Sequence, residues 1–241
     1  MIHKSHDMAK CSSIAYLDEA KAKPAFRALG YKKCVFIEKD GAQCYVIWNQ
    51  TEIVISFRGT EVDQISDVKA DVNVFPSRAQ NGHGLVHHGF QEELNKIWKD
   101  ILEVLSAHND KPLYITGHSL GGAVATLATS RLYKRVTCLY TFGSPRTGTG
   151  KFVKSFSDIP HFRFVNNNDV VTKLPFALLG YRHHVAPTYI NYYGEVKISN
   201  YRQRVKDQFR GRLRAWQKGQ AFDGAYDHAI SNYVRCTENL K

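Results

Sequence analysis

The stretch that most restricts the fold of this chain lies between Leu113 and Ala128. Leu113-Tyr114-Ile115-Thr116 is an apolar, β-type run, and Gly122-Ala123-Val124-Ala125-Thr126-Leu127-Ala128 is a small-residue helical run. Between them stands Gly117-His118-Ser119-Leu120-Gly121. Strand, sharp turn and helix, in that order, hold a serine on a strained turn with its Oγ clear of the backbone. Gly117 and Gly121 leave room for the chain to pass close to itself. The turn opens a helix, so free N–H groups and the positive end of the dipole lie beside the serine, where negative charge would develop. Gly-x-Ser-x-Gly alone is common. Its flanking strand and helix make Ser119 the candidate nucleophile.

The rest of the chain supplies a matching framework. Residues 8–28 read as helix, interrupted by Pro24 and ended by Gly30. Strands are expected at 44–48 and 52–57, joined by an Asn49-Gln50 turn, the second leading into Arg58-Gly59-Thr60. Residues 61–84 are polar and irregular. Phe90, Leu94, Ile97, Trp98, Ile101, Leu102 and Leu105 repeat at helical steps. Strands follow at 136–142 and 161–165, with a β-like run at 189–198. Helices are expected at 148–156, 200–216 and near 228–234. This alternation predicts an α/β fold with a central, mostly parallel sheet and helices on both faces. With no repeat or break in composition, the 241 residues read as a single domain.

A serine hydroxyl needs a base to take its proton and a carboxylate to hold that base. Asp169 follows the 161–165 strand in a polar loop, at the sheet edge where catalytic groups collect, and is the candidate acid. In the order serine, acid, base, the histidines left are His183, His184 and His228, and spacing alone leaves the pair and His228 both open. His118 lies inside the elbow with its side chain turned away from the serine, and is taken as a supporting residue. The N–H of Leu120 is the natural first donor to an oxyanion, and Thr60, after Gly59, the second.

The formal charge of +11 admits nucleic acid, an anionic surface or plain solubility. No nucleic-acid motif accompanies it, so no nucleic-acid partner is expected. The densest basic segment, 201–218, carries Arg202, Arg204, Lys206, Arg210, Arg212, Arg214 and Lys218 with Phe209 and Trp216 interleaved. It reads as a solvated helix face or as a contact for anionic headgroups. Five cysteines in no zinc or disulfide pattern suggest neither a metal site nor a framework, although Cys34 and Cys44 could pair across a hairpin. Residues 1–7 hold no apolar signal core, and no run of about 18 apolar residues occurs. The expected location is cytoplasmic, or exported by a route without a cleaved signal.

At these residues the chain resembles the class 3 lipases of the α/β-hydrolase superfamily. Phe57-Arg58-Gly59-Thr60 is similar to their oxyanion turn, and Val86-His87-His88-Gly89-Phe90 to their step into the first long helix. Gly117-His118-Ser119-Leu120-Gly121-Gly122-Ala123 matches their elbow, and Phe142-Gly143-Ser144-Pro145-Arg146 a strand end. Val165-Asn166, Asp169-Val170-Val171 and Leu174-Pro175 resemble their acid loop, Gly180-Tyr181-Arg182-His183 a segment whose histidine is not the base, and Asp227-His228 with Tyr233 their histidine segment. These matches run in order over roughly 40–235.

The resemblance implies an α/β-hydrolase fold and a Ser119, Asp169, His228 triad, with Thr60 and Leu120 at the oxyanion and Asp71 steadying the Thr60 loop. It implies no metal or organic cofactor and a lipid or other ester substrate, with peripheral contact to a lipid surface. The expected activity is lipase hydrolysis of tri-, di- or monoacylglycerols. The alternatives are a phospholipase A acting on anionic lipids, a feruloyl esterase, or a catalytically inactive hydrolase-fold binding protein. Two departures stand out: a short, polar lid candidate at 61–67, with Val68 where the family carries Trp, and the basic insertion at 200–218.

Overall fold

The computed structural model describes residues 1–59, 75–197, 201–217 and 223–240. Its framework is an eight-stranded sheet in the order β1-β2-β3-β6-β7-β9-β11-β12. These strands are β1 (Lys33–Lys39), β2 (Ala42–Trp48), β3 (Ile53–Phe57), β6 (Leu113–His118), β7 (Val136–Phe142), β9 (His161–Asn166), β11 (Thr188–Ile190) and β12 (Val196–Lys197). The five strands β3, β6, β7, β9 and β11 pair in parallel, and antiparallel hairpins close both edges. A small second sheet joins β4 (Pro76–Arg78), β5 (Leu85–His87), β8 (Gly148–Thr149) and β10 (Tyr181–Arg182) in the order β10-β8-β5-β4.

The two-residue period of the strands divides the core. Ile53, Ile55 and Phe57 of β3, with Leu113 and Ile115 of β6, face α3 (His88–Ser106) and α4 (Leu120–Arg131). Val54, Tyr114 and Tyr140 point the other way, toward α1 (Ser5–Ile14), α2 (Glu19–Ala28) and α8 (Ile230–Thr237). Polar residues on that second face find partners. Ser56 Oγ donates to the Cys11 carbonyl at 2.9 Å, and Thr116 Oγ1 lies 2.8 Å from Ser12 Oγ. These hydroxyls pin α1 across the middle of the sheet, where an unpaired polar group would be costly. Helix α4 is buried from Gly121 to Ser130, which is why its sequence is made of small residues rather than an amphipathic stripe.

Two expectations need correction. The helix read over 8–28 is two helices, broken between Ile14 and Glu19; Pro24 sits inside α2 on its exposed face. The hairpin expected between Cys34 and Cys44 is present as β1–β2, and Asp40 (φ 50°) and Gly41 (φ 84°) form its tight turn with the Asp-Gly pair such turns favour. Cys34 and Cys44 cannot pair: in the register Cys34 stands opposite Ile47 and Cys44 opposite Ile37, and all five cysteines are free. The remaining helices are α5 (Gly150–Lys154), α6 (Tyr201–Gln217) and α7 (Asp223–His228). Among the described residues no helix is long and apolar enough to cross a membrane.

Candidate active site

Ser119 occupies the turn between β6 and α4 with φ 55° and ψ −130°, a conformation that non-glycine residues adopt only under strain. The surrounding contacts impose it. A Cβ on Gly117 would lie 2.2 Å from the Gly121 carbonyl oxygen, and one on Gly121 would lie 2.4 Å from that of Phe57. The end of β3 therefore runs directly against the elbow, as the Arg58-Gly59 segment must if it is to serve the serine. Ser119 N–H donates to the Phe142 carbonyl at 3.0 Å, stitching the turn to the end of β7. The Leu120 N–H lies in the first turn of α4, ahead of the helical carbonyl ladder.

Asp169 and His228 meet in the interior. Asp169 Oδ2 accepts from His228 Nδ1 at 2.9 Å and from the Tyr233 hydroxyl at 2.5 Å, and Asp169 Oδ1 accepts from the Val171 N–H at 2.9 Å. Both Asp169 and His228 are fully buried. Burial and the neighbouring carboxylate push the Tyr233 phenol well above its ordinary pKa, so it stays neutral and donates. With its Nδ1 proton held by Asp169, His228 carries its free lone pair on Nε2. That atom is buried and makes no hydrogen bond among the described residues. The bond from Ser119 to His228 is thus not closed, as is frequent in unliganded sites. The acid–histidine pair packs on Gly143, whose absent Cβ would lie 2.7 Å from Asp169 Oδ2 and 2.9 Å from His228 Nδ1; the preceding residue, Phe142, accepts from the Ser119 N–H.

The elements behind the triad hold it from several sides. His118 Nε2 lies 2.7 Å from the His228 carbonyl, which can only accept, so Nε2 carries the proton and Nδ1 accepts from the Tyr16 hydroxyl at 2.7 Å. Burial and then the His228 ring, whose centroid is 4.5 Å away, depress the His118 pKa well below the usual histidine value. The ring is a neutral strut from the end of α1 to the histidine segment. Asn166 Nδ2 donates to the Asp227 carbonyl at 2.9 Å, and Asn168 N–H to Asp227 Oδ2 at 3.0 Å. Asp227 therefore ties the acid loop to the segment bearing His228.

His183 and His184 lie elsewhere. His183 Nε2 pairs with the Thr172 carbonyl at 2.8 Å, and His184 stacks on Phe156 while bonding its carbonyl at 3.0 Å. Thr60, Asp71 and the lid candidate 61–67 fall outside the described residues. Sequence reasoning missed Tyr16, whose partner His118 is 102 positions away and which no local pattern marks. On the α4 side of the elbow a cavity of about 460 Å³ is walled by Phe57, Ile97, Leu120 and Val124, with Arg58 and Glu93 also on its lining. Among the described residues no three His, Cys, Asp or Glu side chains are grouped to hold a metal ion.

A strained serine at the end of a parallel strand, with a buried acid and histidine on later loops, defines an α/β-hydrolase site. The profile of the family described as lipase (class 3) matches residues 54–179, and the chain belongs to that family. The chain is 34% identical over 149 residues to a lipase of Rhizomucor miehei, covering 56% of this chain and 40% of the relative. It is 31% identical over 154 residues to the chloroplastic phospholipase A(1) DAD1 of Arabidopsis thaliana, covering 53% and 34%. A fungal lipase solved in complex with an inhibitor superposes with a TM-score of 0.67 at 26% identity, over 78% of this chain and 80% of that one. The matches span less than half the length of these curated relatives.

Proposed function

We propose that the chain is a serine carboxylester hydrolase that cleaves fatty-acyl esters, with tri-, di- and monoacylglycerols as its substrate class. The observation that carries this reading is the buried His228–Asp169 pair, 2.9 Å apart and packed on Gly143, next in the chain to the Phe142 carbonyl that holds the strained Ser119 turn. Ser119 Oγ attacks the acyl carbonyl and its proton passes to His228 Nε2, while Asp169 holds Nδ1–H and stabilises the imidazolium. The Leu120 N–H, with that of Thr60 as the expected second donor, stabilises the tetrahedral oxyanion; loss of one such donor typically costs about 3–4 kcal/mol of barrier. His228 then returns the proton to the leaving alcohol, and water cleaves the acyl-enzyme.

The test is a chain-length series of p-nitrophenyl esters with the wild type and Ser119→Ala. The wild type turns over at least one ester, and Ser119→Ala loses about 10⁴-fold or more, as expected when a nucleophile is removed. A fluorophosphonate probe labels only the wild type. Equal turnover by both proteins would remove Ser119 from its role, and no turnover or labelling by either would favour an inactive binding protein. A phospholipase A is the second reading, supported by the likeness to the Arabidopsis phospholipase and by the basic helix α6. Rates on phosphatidylglycerol and on tributyrin decide between the two.

A further inference from the structure

Helix α6 has two unlike faces. Its inner face is fixed to the loop that presents Asp169. Asp207 Oδ2 accepts from the Tyr189 hydroxyl at 2.9 Å and from the Tyr192 N–H at 2.8 Å. Gln208 Nε2 donates to the Asn167 carbonyl, and the Gln208 carbonyl accepts from Asn168 Nδ2, both at 3.1 Å. A Cβ on Gly211 would lie 2.5 Å from Asn167 Nδ2, so the helix approaches this loop closely at a glycine.

The outer face is built differently. Arg202, Lys206 and Arg210 stand one helical step of four apart and are exposed. Val205 and Phe209 form a parallel pair beside them, 46% and 67% exposed, which sets Phe209 apart from an ordinary half-covered surface ring. The only acid in 201–217, Asp207, is turned inward, so the described outer face carries cations and apolar groups and no carboxylate. Further along the chain from Asp169, Phe176, Leu178 and Leu179 are 62%, 99% and 55% exposed.

A merely solvated helix face gains nothing from an exposed Phe and Val in the midst of its cations. A surface that is negative outside and apolar just beneath accommodates both groups, since long basic stems reach the headgroups while the ring enters the acyl boundary. A polyanion without an apolar layer leaves Val205 and Phe209 unsatisfied, which argues for lipid over nucleic acid. We propose that α6 is the element by which this chain docks on an anionic phospholipid surface. The opposite face of the helix is bonded through Gln208 to the loop that carries Asp169, and through Asp207 to Tyr189 of β11 and to Tyr192. A docked chain therefore holds its catalytic acid loop against the interface from which an ester would enter. The purpose of docking rests on the reading of the chain as a lipid-ester hydrolase; the binding itself does not.

The experiment is co-sedimentation of the full chain bearing Ser119→Ala with vesicles of phosphatidylcholine alone and of phosphatidylcholine mixed with phosphatidylglycerol, at low and high salt. The same measurement is made with R202Q/K206Q/R210Q and, separately, F209S added. Each cation near an anionic surface contributes about a fivefold gain in partitioning, so the triple variant binds mixed vesicles about 100-fold more weakly at low salt. F209S binds about tenfold more weakly at any salt, because it removes apolar rather than charged contact. Turnover of a water-soluble p-nitrophenyl ester by the Ser119-containing triple variant stays at the wild-type level, showing that its fold is intact. Equal binding to both vesicle types, unchanged binding in the triple variant, or stronger salt-sensitive retention on DNA than on mixed vesicles would overturn the proposal. Vesicle binding without any ester turnover would instead remove the hydrolase reading and leave the docking face standing.

Discussion

At the scale of single residues, Asp169 shows how a buried carboxyl group is satisfied and aimed. It has three donors on its two oxygens: His228, Tyr233 and the Val171 N–H. Burying a polar group without such partners would be costly. Gly143 is the residue that lets this cluster close. Its φ of +60° and the 2.7 Å approach of Asp169 Oδ2 leave no space for a methyl group. Gly143→Ala should therefore shift the acid–histidine pair relative to Ser119. Displacements of about 1 Å in a catalytic group cost about 100-fold in rate, and kcat for a p-nitrophenyl ester should fall by that order. KM should change much less, since Gly143 is not among the residues lining the cavity beside α4. A near-wild-type kcat would show that the pair tolerates the displacement.

Among the elements, the parallel strands β3 and β6 bear most of the stability that the elbow needs. Their pairing runs from Ile53–Leu113 to Phe57–Gly117, ending where the elbow begins. The strain at Ser119 has to be offset by packing around it, and Ile55, fully buried at the middle of β3, is part of that packing. Ile55→Ala should lower the unfolding free energy by about 2–4 kcal/mol, the range for a buried isoleucine truncated in a closely packed core. Urea unfolding with an unchanged slope is the measurement; a loss below 1 kcal/mol, on the order of a surface substitution, would place the main core elsewhere. Helix α3 starts with comparable economy: His87 Nδ1 accepts from the Phe90 N–H and its ring stacks on the Phe90 ring at 4.0 Å, so one imidazole caps the helix and packs it.

For the whole molecule, acid is the condition to which the fold is most exposed. Burial lowers the pKa of His118, His161 and His183 well below the usual value, and that of His184 as well. His87 is lowered to about 4, again chiefly by burial. These histidines are neutral when folded and take up a proton readily when unfolded. The unfolded state thus binds more protons, and stability rises with pH through the window between the depressed folded values and about 6.5. It is fully present above about pH 6.5 and is lost as the pH falls toward about 4. The net charge of +11 adds repulsion in the same direction. Thermal midpoints should be level above neutrality and drop steadily below about pH 6. A flat profile down to the lower limit would mean that these side chains accept protons without unfolding.

Much of the site could be read from the chain because its chemistry is written in short segments. Strand, Gly-His-Ser-Leu-Gly and small-residue helix are one continuous piece, and the strain at Ser119 follows from neighbours two residues away. The strands at 136–142 and 161–165 were legible for the same reason, since β-branched and aromatic runs carry their own period. The hairpin between Cys34 and Cys44 was legible too, and Asp40-Gly41 makes its turn. The two- and three-residue strands of the small sheet were not, because runs that short have no period to detect. The break at residues 15–18 is set by how α1 and α2 each reach the sheet, not by Pro24. Spacing left His183, His184 and His228 open as partners of the acid. Their assignment by contact is tertiary: Asp169 and His228 are 59 positions apart, and the fold alone brings them to 2.9 Å while turning His183 toward Thr172. The sequence by itself determined the nucleophile's turn, because the glycines and the strain are local. The tertiary structure decided which histidine meets the acid, and that the basic helix α6 rests on the acid's own loop, because those contacts exist only once distant segments share one edge of the sheet.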